Sequence, residues 1–324
     1  MSLNNKTVLI TGGTGSFGHK FVEIVLKRYR LNKLIIFSRD EYKQFLMKKK
    51  FSGDNIRFFL GDIRDANRLH RALHGVDIVI HAAALKQVPA LEYDPFEAIK
   101  TNVLGAENLI NTAIDNKVKK VLALSSDKAV NPVNLYGASK LCADKLFIAG
   151  NAYSGDMKTK FSVVRYGNVF NSRGSVAPFF REQAVKGFLT ITDERMTRFW
   201  ITLGQGVDFV LKCLKMMRGG EIFVPKVPSM TIVDLARAIA PNAKHRFTGI
   251  RPGEKLHEIL VTEDESRNTI ENANMFITLT PFDGQDSKDR YKGFKSVEDG
   301  FRYSSDKNER WLTKKELAEM IKDI

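Results

Sequence analysis

Short, almost wholly apolar runs alternate with longer amphipathic stretches over the first two-thirds of the chain. Six runs have strand length and β-branched or aromatic character: 6–10 (KTVLI), 33–37 (KLIIF), 56–60 (IRFFL), 76–80 (VDIVI), 119–124 (KKVLAL) and 161–166 (FSVVRY). Between them, apolar residues recur at helical spacing near 16–29, 40–50, 65–74, 94–116 and 136–152. A strand covered on one face alternates apolar with polar, whereas one covered on both faces is continuously apolar. These runs are of the second kind. The pattern therefore predicts an α/β protein with a doubly wound, Rossmann-type parallel sheet, helices on both faces and ligands at the carboxyl ends of the strands.

After residue 167 the rhythm breaks and turn residues become frequent, as in Asn171-Ser172-Arg173-Gly174 and Pro252-Gly253. Two helices are expected at 204–217 and 231–240, the second with Thr231 as N-cap and Pro241 as its stop. Residues 283–310 read as loop-rich, and 313–323 as a charged helix that docks locally or on a partner subunit. The division expected is a nucleotide-binding domain over 1–167, with returning segments near 200–225, and a smaller substrate-binding lobe and tail over 168–324.

The size, 324 residues, is enough to bury a large core without disulfides or metal. Neither Cys142 nor Cys213 has metal-ligand spacing, and the apolar surroundings of Cys142 predict a reduced core thiol. No apolar run approaches the ~20 residues a membrane-spanning helix requires. The first strand follows the N-terminus almost at once, leaving no room for a signal peptide, so a cytoplasmic protein without a membrane partner is expected. The net charge of +14 suits anionic ligands large or small. No zinc-finger spacing or aromatic-basic pattern directs it to nucleic acid.

Candidate chemistry begins where the first strand runs into Thr11-Gly12-Gly13-Thr14-Gly15-Ser16-Phe17-Gly18. Glycines at 12, 15 and 18 suit a tight strand-to-helix turn, and the helix N-terminus then faces a pyrophosphate. The second strand ends Phe37-Ser38-Arg39-Asp40, with Lys43 one turn on. An NAD site usually carries an acid at this strand end, whereas a guanidinium beside a hydroxyl can fork a 2′-phosphate, so NADP is the expected cofactor. The alternative is a surface pair of Arg39 with Asp40 or Glu41. Asp62, followed by Ile63, offers either an acceptor to an adenine amino group or a helix cap.

Leu124-Ser125-Ser126-Asp127-Lys128 ends the fifth strand, and Tyr136-Gly137-Ala138-Ser139-Lys140 opens the next helix. Tyr136 and Lys140 share a helical face, so the ammonium is expected to lower the phenol toward neutrality for proton exchange with a sugar hydroxyl. Lys86, just past the fourth strand, is placed to reach the same cleft.

His81-Ala82-Ala83-Ala84, Asn102 and the Tyr136/Lys140 pair resemble the extended short-chain dehydrogenase/reductases. More narrowly, Ser126-Asp127-Lys128, Arg165-Tyr166-Gly167-Asn168-Val169, Met196-Thr197-Arg198-Phe199-Trp200 and Arg251-Pro252-Gly253-Glu254-Lys255 are similar to the inverting UDP-N-acetylglucosamine 4,6-dehydratases over roughly residues 4–280. The resemblance implies a UDP-N-acetylglucosamine substrate, a bound NADP whose cleft includes Ala83 and Val169, and a homo-oligomer, hexamers among them. It further implies that Asn168 contacts the sugar nucleotide, Arg198 and Arg251 hold its diphosphate, and Glu254 accepts from the uridine ribose. Asp127-Lys128 is the pair of the inverting group, where retaining relatives carry Asp-Glu. One of the two is the C5 base, if Lys128 is depressed, and the other the C6 acid, if burial raises Asp127; the residues alone do not say which. Two rivals stand beside this reading: a UDP-hexose 4-epimerase of the same fold, and a non-catalytic NADP-sensing or RNA-binding member.

Overall fold

The computed structural model describes residues 2–280 and 291–322. Strands β1 (Thr7–Thr11), β2 (Lys33–Ser38), β3 (Ile56–Leu60), β4 (Ile78–His81), β5 (Lys120–Ser126) and β6 (Lys160–Tyr166) pair in parallel. All five residues of β1 and all four of β4 are buried, which is why their sequences do not alternate. Each wholly buried Val, Ile or Phe side chain in this layer contributes about 1.5–3 kcal/mol. The connecting helices are α1 (Ser16–Arg28), α2 (Glu41–Lys50), α3 (Ala66–Leu73), α4 (Val88–Tyr93), α5 (Pro95–Ala98), α6 (Gly105–Asp115) and α7 (Leu135–Tyr153).

β1 lies between β2 and β4, so the chain turns to opposite sides of the sheet on leaving β1 and on returning at β4. That reversal opens a crevice at the carboxyl ends of these strands, the position where such sheets bind ligands.

The single helix expected over 94–116 is broken. Pro95 starts α5, residues 99–104 form a π-helical turn, and α6 follows. Thr101 and Asn102 within the wider turn are both buried. Cys142 also departs from expectation: it is exposed, while Cys213 is buried. Apolar residues surround most of α7 in this stretch, so periodicity did not separate its buried stripe (Lys140, Ala143, Asp144, Phe147) from its outer face.

The later segments are β7 (Asn168–Val169), α8 (Val176–Ala184), β8 (Phe188–Ile191), β9 (Thr197–Ile201), α9 (Leu203–Met216), β10 (Ile222–Pro225), β11 (Ser229–Thr231), α10 (Ile232–Ile239), β12 (Lys244–Phe247), β13 (Ile259–Val261), α11 (Glu263–Ser266), β14 (Thr269–Glu271), β15 (Met275–Thr278), β16 (Lys295–Ser296), β17 (Tyr303–Ser304) and α12 (Lys314–Lys322). α9 packs on α1, and β10 adds parallel to β6. β15, β14 and β16 then extend the same sheet antiparallel, to ten strands among the described residues. The first layer thus recruits chain well beyond 225. Thr231 caps α10 by accepting from the Asp234 N–H at 3.0 Å. The lobe has its own core, with Phe170, Phe180, Trp200, Met230, Leu235 and Leu317. Of 283–310, residues 283–290 lie outside the described residues, and the remainder contributes β16 and β17.

Candidate active site

The crevice is a cavity of about 730 Å³ running from the glycine loop across the ends of β2, β4, β5 and β6. At one end Gly12 has φ +64°, and a Cβ there would stand 2.8 Å from the Ala83 backbone. A Cβ on Gly18 would meet the Gly13 carbonyl at 2.0 Å, so helix α1 can approach β1 only with glycine at 18. Gly15 is the N-cap of α1 and supplies no side-chain acceptor, leaving the first N–H groups to face the crevice. Thr14, Ser16 and Phe17 complete this wall. The donor set and the close backbone approach fit a dinucleotide pyrophosphate.

The end of β2 forms the far wall with Ser38, Arg39, Asp40 and Lys43. Asp40 caps α2, accepting from the Lys43 N–H at 2.9 Å, and also ion-pairs with the Lys43 ammonium. Arg39 pairs with neither Asp40 nor Glu41; among the described residues its nearest carboxylate is Asp62, at 3.9 Å. Asp62 belongs chiefly to Arg64, at 2.7 Å, and accepts the Arg64 N–H at 2.9 Å. Burial pushes the Asp62 carboxyl up, but the Arg64 contacts outweigh it and hold the group below the usual range. Ile63 lines the cavity beside it.

The chemical groups converge at the other end. Ser126 closes β5, and Asp127–Ala129 form one 3-10 turn. Ser126 Oγ donates to Asp127 Oδ1 at 2.9 Å and accepts the Lys128 N–H at 3.0 Å. Lys128 Nζ lies 2.8 Å from Asp127 Oδ1, 2.9 Å from Asn168 Oδ1 and 3.1 Å from Glu258 Oε1. Burial, then the Glu258 charge, push the wholly buried Asp127 carboxyl above its usual range. Burial works to lower Lys128, but Asp127 and Glu258 outweigh it and hold the ammonium above its ordinary value. The condition under which Lys128 would act as base by itself, a depressed ammonium, is not met in this arrangement: a free amine is disfavoured beside two carboxyl groups.

A second correction concerns Tyr136. Lys140 Nζ donates to the Leu124 carbonyl at 2.7 Å, and burial pushes the Tyr136 phenol up to about 12, against the lowering effect of the Lys128 charge. The neighbouring lysine does not bring the phenol toward neutrality. Lys140 itself is buried and lowered by that burial. Further along α7, Asp144 accepts from Ser125 Oγ at 2.8 Å and faces Arg165, whose Nη1 donates to both carboxylate oxygens of Glu265, at 3.0 and 3.1 Å.

Asn102 holds the loop after β4. Its Oδ1 accepts from the Leu85 N–H at 2.8 Å, and its Nδ2 donates to the Leu85 carbonyl at 2.9 Å and to Ser139 Oγ at 3.0 Å. That loop carries Lys86, whose Nζ donates to the Arg173 carbonyl at 2.9 Å. Arg173, which the sequence showed only as part of a turn, crosses the crevice: its N–H donates to Ser16 Oγ at 3.2 Å and its guanidinium to the Thr14 carbonyl at 3.3 Å. Lys86, Asn168 and Val169 line the cavity with the catalytic turn.

Arg198, Arg251 and Glu254 are not brought to the cavity. Arg198 is buried and donates to the carbonyls of Thr197 (2.7 Å), Lys255 (2.9 Å) and Leu256 (3.1 Å), so its fork is occupied by backbone instead of standing open to a diphosphate. Arg251 and Glu254 pair with each other at 3.3 Å. Their loop packs beside the start of α7, where Asn134 donates to the Gly253 carbonyl at 2.7 Å. Lys255 from this loop reaches the Asp127 and Val130 carbonyls. Glu258 was not among the residues the sequence singled out, and Lys255 stood there only as the end of a motif. Among the described residues no cluster of three metal-ligating side chains occurs, and no helix is long and apolar enough to cross a membrane.

Residues 8–280 match the family described as polysaccharide biosynthesis protein. The inverting UDP-N-acetylglucosamine 4,6-dehydratase of Campylobacter jejuni subsp. jejuni serotype O:23/36 (strain 81-176) is 53% identical over 327 residues, 98% of each chain. The UDP-glucose 4-epimerase of Rickettsia akari (strain Hartford) is 46% identical over 87% of this chain and 84% of its own. The X-ray structure of Pen from Bacillus thuringiensis superposes with a TM-score of 0.92 at 40% identity, covering 100% of this chain and 99% of that one.

Proposed function

The chain belongs to the polysaccharide biosynthesis protein family, and from that premise we propose that it is an NADP-dependent, inverting UDP-N-acetylglucosamine 4,6-dehydratase. Its product is a UDP-2-acetamido-2,6-dideoxy-β-L-arabino-hexos-4-ulose, made as the first step toward pseudaminic acid or a related surface glycan. The observation that carries the reading is the Asp127–Lys128 contact of 2.8 Å in the same crevice as the glycine loop. Near-full-length similarity to the Campylobacter dehydratase supports it.

A bound nicotinamide dinucleotide supplies the hydride acceptor for the sugar C4 and the donor for C6. Arg39, half-exposed beside Ser38 and 3.9 Å from its nearest carboxylate, supports a 2′-phosphate on that cofactor. Tyr136 exchanges the proton of the C4 hydroxyl. With C4 oxidised, the C5 proton is acidic and the C6 hydroxyl can leave as water.

Asp127 and Lys128 share the proton this elimination requires. As carboxylate and ammonium, neither can act. Passing one proton across the contact makes Lys128 an amine able to take the C5 proton and Asp127 a carboxylic acid able to protonate the C6 hydroxyl. Elimination then returns the pair to carboxylate and ammonium; as hydride returns to C6, C5 takes up one solvent-exchanged proton on the opposite face and Tyr136 releases the proton of the C4 hydroxyl, so one water is lost overall. Burial of Asp127 favours its protonated form and supports this assignment of acid and base.

The test is turnover of UDP-N-acetylglucosamine in deuterated water, followed by NMR. A 6-deoxy-4-keto sugar, inverted and deuterated at C5 without net NADPH build-up, is expected. A 4-epimer with an unexchanged C5 would establish instead the epimerase reading, which similarity to the Rickettsia epimerase supports. Lys128→Ala is expected to abolish elimination while cofactor still binds.

A further inference from the structure

Glu258 is 2% exposed, sits just before β13, and enters the catalytic turn from the far side of the chain. Its backbone is fixed on both sides: its N–H donates to Ser305 Oγ at 2.9 Å and its carbonyl accepts from the Ser305 N–H at 2.8 Å. The carboxylate reaches Lys128 Nζ at 3.1 Å and Arg198 Nε at 3.6 Å through Oε1. Oε2 accepts no hydrogen bond, and Lys255 Nζ stands 3.6 Å from it.

We propose that Glu258 is a positioning residue for the dehydration, a fixed counter-charge that fastens Lys128 between Asp127 and Asn168 and sets where that lysine titrates. The proposal rests on the dehydratase reading, and adds a group beyond the Asp127–Lys128 pair. The groups facing Lys128 are Asp127 from its own turn, Lys86 from the loop after β4, Tyr136 from α7, Arg198 from β9, and Lys255 and Glu258 from the segment before β13. Lys128 is thus flanked by two carboxyl groups. Asp127 must change its protonation in each cycle, whereas Glu258, surrounded by three cations and held below the usual carboxyl range by Lys128, Arg198 and Lys255 despite its burial, keeps its charge. A constant negative charge beside Lys128 favours the ammonium that results from C5 proton capture. Of the three cations around Glu258, Lys128 alone lines the cavity, and it is the one the carboxylate approaches most closely, which an ion pair serving structure alone would not need.

Removing the charge lowers the proton affinity of Lys128 and of Asp127 together. In Glu258→Gln the alkaline limb of the kcat profile is therefore expected to move down by about one pH unit or more, with KM for the sugar nucleotide nearly unchanged. Glu258→Asp, which keeps the charge, is expected to restore most of the shift. The second measurement is independent of turnover: competitive labelling of the resting protein with acetic anhydride across pH, read on the Lys128 peptide by mass spectrometry. Its midpoint is expected to fall in Glu258→Gln and to recover in Glu258→Asp. If Glu258→Gln fails to fold, Lys255→Met removes a like charge near Lys128, and the midpoint is expected to rise instead. An unmoved midpoint in the folded variant overturns the proposal. Absence of dehydration by the unaltered protein, with the midpoint shifted as expected, would count against the functional reading and leave the Glu258–Lys128 linkage standing.

Discussion

Lys140 gives its ammonium to the carbonyl of Leu124 at 2.7 Å, and so braces the end of β5 against α7 one turn beyond Tyr136. The two kinds of substitution here should separate. Tyr136→Phe is expected to lower kcat by roughly 10²–10⁴-fold with little loss of thermal stability. Lys140→Met removes the donor from the half-buried Leu124 carbonyl and is expected to cost about 1–3 kcal/mol in urea unfolding. Equal destabilisation by both would contradict the division.

Arg39 is the residue on which cofactor choice should turn. With no carboxylate among the described residues closer than 3.9 Å, its guanidinium is available to a 2′-phosphate. Arg39→Ala is expected to weaken NADPH binding by about 10–100-fold, while NADH, which lacks that phosphate, binds as before. Calorimetric titration of both nucleotides checks this, and parallel losses for the two would remove the argument for NADP.

His81 gives the protein an acid sensitivity with a definite direction. Its Nδ1 lies 2.8 Å from Thr11 Oγ1, and burial, then the Lys140 charge, push the imidazole down to about 3. The folded value lies below the ordinary 6.5, so the unfolded chain takes up the proton first. The stabilisation is present above that ordinary value and is lost as pH falls toward the folded one. Between pH 7 and pH 5 this group alone should remove about 2 kcal/mol. Urea unfolding of the protein and of His81→Asn at the two pH values should show the smaller difference in the variant.

Asn102 ties three parts of the site together through Leu85 and Ser139. Asn102→Leu removes all three bonds and leaves the half-buried backbone groups of Leu85 without their side-chain partner, at an expected cost of about 1–3 kcal/mol. Chemical denaturation measures the cost. Hydrogen exchange should show the Leu85 amide losing protection ahead of the β1 amides.

The parts of the molecule readable in advance were those whose physics is local. Parallel strands buried on both faces need continuous apolar runs, and β1, β2, β4, β5 and β6 have them. The glycine loop is likewise a local requirement, since Gly12 and Gly18 stand where a Cβ would collide with backbone. The electrostatic character of the site was not readable, because it depends on burial and on groups brought in from afar. Tyr136 and Lys140 have the right spacing, yet Leu124 takes the ammonium. Arg198 lies in a motif that also fits an exposed strand, and only the fold of β9 under residues 255–257 turns it inward. Glu258 stands in His257-Glu258-Ile259-Leu260, where a charged residue before an apolar run reads as the solvent-facing start of a strand. The π-helical turn at 99–104 was hidden because a one-residue widening barely disturbs an apolar repeat.

The sheet order also bears on how the protein can be made and divided. β10 joins the sheet beside β6, and its outer edge is met by β15, some fifty residues later in the chain. During synthesis the nucleotide-binding strands are therefore complete while Ile222–Pro225 still offers unsatisfied N–H and C=O groups along an apolar edge, the form most prone to pairing with another chain. A fragment ending near residue 226 would carry that edge permanently. It should be an aggregating species, not a minimal enzyme, and it would also lack the segment that delivers Glu258 to Lys128.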